Sequence, residues 1–376
     1  MADSTSKSAL GEVARLFLRL GLTAFGGPAA HLGLMQHEAV ERRGWMSMEH
    51  FLDLVGACNL LPGPSSTQVA MALGYTRAGW MGLLAAGTCF IFPASVATLA
   101  LAWAYVRYGS LPQTQGLLYG AKPVMVAIIV QAVWNLGRMA FRRWPLAVAG
   151  LACFIAAVAG APPFAILLVC GGLTLLAAWQ RNRRGAALGL AWMPLGVGGT
   201  TAGAAALSSI FLVFLKLGVV VFGSGYVLLA FLKADLVDRL HWITNPQLLD
   251  AVTAGQLTPG PVFATATFLG YLLRGWAGAG VATAAIFLPS FLMAGLVGAL
   301  AGRIRKSVLA GAFLDGVNAA AVALMASVAI TLGRATLVDG WTWALGLVSA
   351  VLLLRFRINS TWLICGGAAL GILLRA

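Results

Sequence analysis

The chain has 376 residues, 60% hydrophobic and 10% charged, with a mean hydropathy of +0.89. Soluble domains carry about 25% charged residues, so this composition excludes a soluble enzyme or binding module and marks an all-α polytopic membrane protein. The formal charge of +14 gathers in short clusters between apolar runs, which is the habit of cytoplasmic loops and not of a nucleic-acid-binding face; a basic balance also suits an anionic substrate.

Residues 1–9 are polar and lack the charged, apolar and small-residue order of a cleaved leader. An apolar run over 10–24 carries Arg15 and Arg19, four residues apart and so on one helix face. Phe25-Gly26-Gly27-Pro28 interrupts it, and a polar loop is expected over 38–45, with Arg42 and Arg43. A short helix over 49–61 then runs into Pro62-Gly63-Pro64, and a second follows over 65–75. Proline removes a backbone donor and clashes with the preceding turn, so no helix passes through intact. Neither piece has the roughly 20 residues of a full span, and the pair reads as a hairpin of half-helices. Long apolar segments follow at 79–106, 116–137, 145–160 and 164–180. Residues 1–184 form an N-terminal repeat and 185–204 a Gly/Ala-rich linker or peripheral helix.

Residues 205–376 repeat the first half at an offset of 197, then 196. Arg19 matches Lys216, Phe25-Gly26 matches Phe222-Gly223, and Asp53 matches Asp250. Pro62-Gly63-Pro64 matches Pro259-Gly260-Pro261, and Gly79-Trp80 matches Gly275-Trp276. Five spanning helices and one broken pair per half make the second half inverted. Placing the basic loop 138–143 in the cytoplasm puts most inter-span bases inside. Equivalent loops also exchange their charge: 138–143 is basic and its mate near Arg334 nearly neutral, while Arg107 is almost alone and its mate at 303–306 is basic.

Inverted repeats with helices broken at matching positions mark secondary transporters, whose sites lie at the half-helix ends. A half-helix N-terminus offers unpaired N–H groups and a positive dipole end to an anion. After the first break come Ser65, Ser66, Thr67 and Gln68; after the second comes the largely apolar Val262-Phe263-Ala264. The first break is therefore the better anion site, with helix capping as the plainer role for Ser65 and Ser66. Further candidate substrate-binding residues are Gly26, Gly27, Gly223 and Ser224 at the glycine breaks, and Asn59, Gln256 and Thr258 beside the proline breaks. Arg19 and Lys216 are membrane-embedded cations, either attraction points for an oxyanion or side chains that snorkel to an interface. Asp53, Asp250 and Lys122 are candidate coupling residues, with a salt bridge or interface anchor as the plainer role; Lys122 has no basic mate, since Asn318 occupies its matching position. His31 and His37, near the first glycine break and without metal-ligand companions, read as interfacial, with a proton role as the alternative. The five cysteines lie in apolar stretches without metal-ligand spacing, so no metal and no cofactor is expected, and no enzymatic constellation is present.

Phe25-Gly26-Gly27, Trp45-Met46, the run from Leu60 to Gln68 and Gly79-Trp80 resemble the N-terminal motifs of the chromate ion transporter family. Phe222-Gly223-Ser224 and the run from Leu257 to Pro261 resemble their C-terminal partners. The resemblance covers nearly all of both halves. It implies a long-chain, two-domain member that exports chromate across a prokaryotic cytoplasmic membrane and confers chromate resistance, with sulfate as the chemically similar oxyanion. A sulfate or other oxyanion transporter or exchanger, a channel-like pore, and a homodimeric assembly stand open beside it.

Overall fold

The structure is a computed structural model that describes residues 2–25, 28–59, 61–109, 111–181, 206–221, 225, 227–304, 308–356 and 358–375. The expected linker at 185–204 and the candidate residues Gly26, Gly27, Gly223 and Ser224 lie outside the described residues.

The described elements are helical. The first half comprises α1 (Ala2–Thr23), α2 (Pro28–Gln36) with a π-helical continuation over His37–Arg42, α3 (Met48–Asn59), α4 (Ser65–Tyr108), α5 (Pro112–Ala140), α6 (Trp144–Val158) and α7 (Pro163–Arg181). The second half repeats this order. It comprises α8 (Leu207–Val220), α9 (Leu228–Leu232) with a π-helical continuation over Lys233–Arg239, α10 (Asn245–Leu257), α11 (Thr265–Ile304), α12 (Val308–Thr336), α13 (Gly340–Phe356) and α14 (Ser360–Arg375). Among the described residues five helices are long and apolar enough to cross a membrane, and four shorter apolar helices accompany them. With their large exposed apolar side chains, such as Trp80, Phe92, Leu151 and Leu292, they make a multi-pass membrane protein. The polar loop expected over 38–45 is instead π-helical as far as Arg42, and Glu38 is buried. Arg19, Arg42 and Arg43 all pair with that carboxylate, which draws the turn against α1.

α4 is two helices in one run. Its backbone leaves the helical region at Ala78 and Gly79, and α11 does the same at Arg274 and Gly275. Residues eight apart in a continuous helix are separated by about 12 Å along the axis. Here the backbones of Gly74 and Gly82 touch, and so do those of Gly270 and Gly278. The chain therefore doubles back, and glycine at the contact lets the two arms meet. A Cβ on Gly74 would fall 2.6 Å from that of Ala86 and closer still to the Gly82 carbonyl. Gly74→Ala should destabilise the detergent-solubilised protein by about 1–3 kcal/mol, the usual cost of overpacking, measured by thermal unfolding. Gly11→Ala, with open space around it, is the neutral control; equal melting of the two variants would mean that the arms do not touch.

The reversal fixes the path of the first broken pair. Arg77, at the end of the short arm, pairs with Glu12 at 2.9 Å, and Arg43, shortly before α3, pairs with the same carboxylate at 3.1 Å. Residues 48–77 thus start and finish at one face, with Pro62-Gly63-Pro64 at the apex. The second half is arranged from the other end. Tyr105, near the far end of α4, donates to Asp250 on α10 at 3.0 Å, while Trp80, at the near end, touches Gly295 on α11. The long arms of α4 and α11 run antiparallel, as inverted repeats require.

The halves are interlocked. α6 and α7 lie on α12 of the second half, and α13 and α14 lie on α5 of the first. The α5–α14 seam has Gly120 against Gly367 and Gly371; its mate has Gly316 against Cys170 and Thr174. Small residues allow this backbone approach, the usual device for helix contact in membranes.

Candidate functional site

The two proline breaks lie in the interior, each tied to the opposite half. Gly63 and Gly260 adopt φ of +112° and +93°, a region that glycine enters at little cost. The Gly63 N–H donates to the Val221 carbonyl at 2.6 Å, and the Gly260 N–H donates to the Ala24 carbonyl at 2.9 Å. Val221 and Ala24 lie just past α8 and α1. Each break therefore closes on the end of the other half's first helix, at the approach to its glycine break.

The lining of the first break is polar and buried. Ser65, Ser66, Thr67 and Gln68 are at most 7% exposed. The Gln68 amide donates through Nε2 to the Pro62 carbonyl at 2.5 Å, which satisfies a backbone acceptor at the break. Its Oε1 has no hydrogen-bond partner, nor has Thr67 Oγ1. A third such oxygen is Ser290 Oγ on α11, so close that a Cβ on Gly63 would lie 3.0 Å from it. Each buried orphan costs about 1–3 kcal/mol, and three lie at or beside the first break, two hydroxyls that can donate and one amide oxygen that only accepts. Ser290 was not legible as a site residue, although a signal existed: it replaces Ala94 of the first half, directly after the matched Pro93 and Pro289.

The second break has the more apolar helix start. Ala94 faces Gly260 where Ser290 faces Gly63. Val262, Phe263 and Ala264 are buried. Thr258 shares a hydrogen bond with Thr98 at 3.1 Å, and the Thr265 hydroxyl donates to the Val262 carbonyl at 2.8 Å. Of the matched amides before the breaks, Gln256 is buried with Nε2 unpartnered, whereas Asn59 is exposed. His31, expected at an interface, is 1% exposed. Its Nδ1 lies 3.4 Å from Ser66 Oγ and its Nε2 3.2 Å from the Ala24 carbonyl, and these contacts draw it in beside the first break.

The embedded cations have carboxylate partners absent from the sequence reading. Arg19 pairs with Glu38, and Lys216 pairs with Asp235 at 2.6 Å. Arg42 reaches Glu38 at 3.1 Å and Arg239 reaches Asp235 at 3.2 Å. Both acids and both second bases share the offset of 197, so the cluster is built twice. Arg15 stays exposed and lines, with Ser8, Glu12 and Arg19, a cleft of about 590 Å³. A hydrogen bond to a charged group contributes about 1.5–3 kcal/mol, and Arg19 is half-exposed, which favours the low end. Arg19→Gln should lower transport roughly tenfold, the equivalent of about 1.4 kcal/mol, with little effect from Arg15→Gln. Initial rates in vesicles check this; equal effects would assign both residues to anchoring.

The family model for "Chromate transporter" matches the chain twice, at residues 11–175 and 208–372. The chain belongs to the chromate transporter family. It is 34% identical over 370 residues to a chromate transport protein of Cupriavidus metallidurans, covering 96% of this chain and 92% of that one. It is 32% identical over 352 residues to a probable chromate transport protein of Synechococcus elongatus, covering 91% and 89%. An uncharacterised transporter of Methanocaldococcus jannaschii is 27% identical over 293 residues, covering 74% and 73%. No solved structure matches the chain. The two matches coincide with the two halves of the internal repeat.

This member of the chromate transporter family has a further charged centre at the face opposite Glu12. Lys122 on α5 lies 3.0 Å from Asp250 on α10, whose side chain is 3% exposed. The pair lines a cleft of about 610 Å³ with Tyr105, Tyr119 and Gln247. Asp53, the repeat mate of Asp250, is half-buried. Nearby, in the loop after α12, the Tyr119 hydroxyl donates to Asp339 at 2.6 Å and, with the Thr342 N–H, holds that carboxyl below the usual carboxylate range. Among the described residues no cluster of metal-ligating side chains occurs.

Proposed function

We propose that this chain is a secondary active transporter that exports chromate across the cytoplasmic membrane of a prokaryotic cell and so confers chromate resistance. The observation that carries the reading is the lining of the first break, where the Thr67 and Ser290 hydroxyls are buried and unpartnered beside the start of a half-helix. The helix start adds N–H donors and a positive dipole end, and hydroxyl groups can turn their hydrogens toward a tetrahedral oxyanion. The names of the relatives from Cupriavidus and Synechococcus support chromate as the cargo. A potential negative inside favours outward movement of a dianion by about 2.3 kcal/mol per charge per 100 mV.

Everted vesicles test this. Radiolabelled chromate should accumulate when the membrane is energised, and an uncoupler should abolish the accumulation. Accumulation insensitive to the uncoupler would overturn gradient-driven export, and purely downhill movement would indicate a pore. Sulfate has the same shape and charge as chromate and should compete; preferential sulfate accumulation would move the assignment to that oxyanion.

A further inference from the structure

We propose that His31 is a proton-binding site linked to the oxyanion at the first break, so that an anion bound beside Ser66 carries a proton with it. The inference rests on the first break being the anion site.

The hydrogen-bond geometry supplies the link. The His31 ring stands edge-on to Phe90 with centroids 5.5 Å apart, and its two nitrogens meet different chemistry. Nε2 faces the Ala24 carbonyl, which only accepts, so Nε2 carries a hydrogen. In the neutral ring Nδ1 then has only its lone pair, and the Ser66 hydroxyl donates to it. While it does so, that hydroxyl hydrogen is unavailable to an anion. A proton added to the Nδ1 lone pair reverses the bond: Nδ1–H donates to Ser66 Oγ, and the hydroxyl hydrogen turns to the cargo. The proton comes from the aqueous phase, and no other bond is made or broken. An oxyanion at Ser66 also stabilises positive charge on the ring. Anion and proton therefore favour each other's binding, and the coupling is reciprocal.

The surroundings leave His31 as the titrating group of this centre. It is the one titratable residue of α2. On the elements packed against α2, Glu38 is paired with Arg19 and Arg42. Glu12 is paired with Arg43 and Arg77, the latter at the far end of the short arm of α4, and Arg107 lies at the end of its long arm. Arg15 is on the exposed side of α1, and His37 and Glu41 pair with each other on the exposed π-helical turn. The matching position in the second half is Leu228, so the proton site occurs once, at the break with the polar lining. The Ala24 carbonyl that holds Nε2 also accepts from Gly260, which links the ring to the second break. A chromate dianion with one proton still carries net negative charge outward, in keeping with export driven by the potential.

The test uses the purified full-length transporter in weakly buffered detergent at alkaline pH, where the chromate dianion itself takes up no proton. Chromate is added while a pH indicator follows the solution. The wild type should take up a proton on binding, and its affinity should fall about tenfold per pH unit through the alkaline range, the behaviour of one linked proton. His31→Gln keeps a donor for Ala24 and an acceptor for Ser66; it should bind chromate without proton uptake and with affinity independent of pH. Ser66→Ala removes the reversible bond; with chromate raised until the variant is saturated, it should bind without proton uptake, and it carries the comparison if His31→Gln does not fold. Chromate binding by the wild type without proton uptake overturns the inference and leaves the export reading standing. No chromate binding by the wild type overturns both. Uptake that persists in the two variants removes His31 from the role.

Discussion

Gly63→Ala should lower chromate transport by about 100-fold while leaving membrane insertion unchanged. Two costs coincide at this position. The backbone holds φ at +112°, and a strained non-glycine conformation costs about 1–3 kcal/mol. The added Cβ would also lie 2.7 Å from Gln68 Nε2 and 3.0 Å from Ser290 Oγ. Gln68 has little room to yield, because the same nitrogen donates to the Pro62 carbonyl at 2.5 Å. The side chains around the apex must shift, and misplacing binding groups by about 1 Å can cost about 100-fold. Gly44→Ala separates the two costs, since Gly44 has φ of +59° with open space around it. It should lose stability without a comparable loss of transport. Initial uptake rates in everted vesicles, normalised to transporter found in the membrane by immunoblot, give the comparison. Wild-type rates in Gly63→Ala would remove the first break from the anion path.

Lys122→Met should destabilise the transporter by about 3–5 kcal/mol, the usual result of removing one partner from a buried ion pair. Asp250 is 3% exposed and would be left charged without its cation, with the Tyr105 hydroxyl still donating to it. Asp250→Asn should cost less, because Lys122 is 22% exposed and can turn toward the open cleft. The double variant should be more stable than Lys122→Met alone, since no unpaired carboxylate remains. Thermal unfolding in detergent of the four proteins closes a double-mutant cycle. Strict additivity would show that the pair does not join the halves energetically.

The features legible in the sequence are those with a steric cause. Proline and glycine announced the breaks because they restrict or free the backbone wherever they occur, and the offset of 197 exposed the duplication. The half-helix boundaries followed within a few residues: 49–61 was expected and Met48–Asn59 is observed. Features that depend on distant contacts were less legible. Arg19 and Lys216 are visible as cations in the sequence, but Glu38 falls in the expected polar loop and Asp235 carries no signal of its own, because the π-helical turns that return them to α1 and α8 have no simple periodicity. Their shared offset was the available signal. His31 has no repeat mate and so drew no support from the duplication; its burial follows from the Ala24 and Ser66 contacts, which unite residues far apart in the chain. The polarity difference between the breaks was readable from Ser65 to Gln68, while the contribution of Ser290 required knowing that α11 crosses the first break.

The exchange of helices between the halves bears on how the protein is made. α5 leaves the ribosome long before its partners exist: Gly120 must wait for Gly367 and Gly371. Until then its groove can be filled only by lipid or by another membrane protein. Early folding is therefore confined to local hairpins such as the one closed at Gly74 and Gly82, and the final assembly depends on contacts of high sequence separation, which form slowly. A nascent chain arrested after α7 should accordingly be a client of insertion factors and quality-control proteases. A separately synthesised second half should rescue it only when both are made together, because each half provides the other with two of its helices.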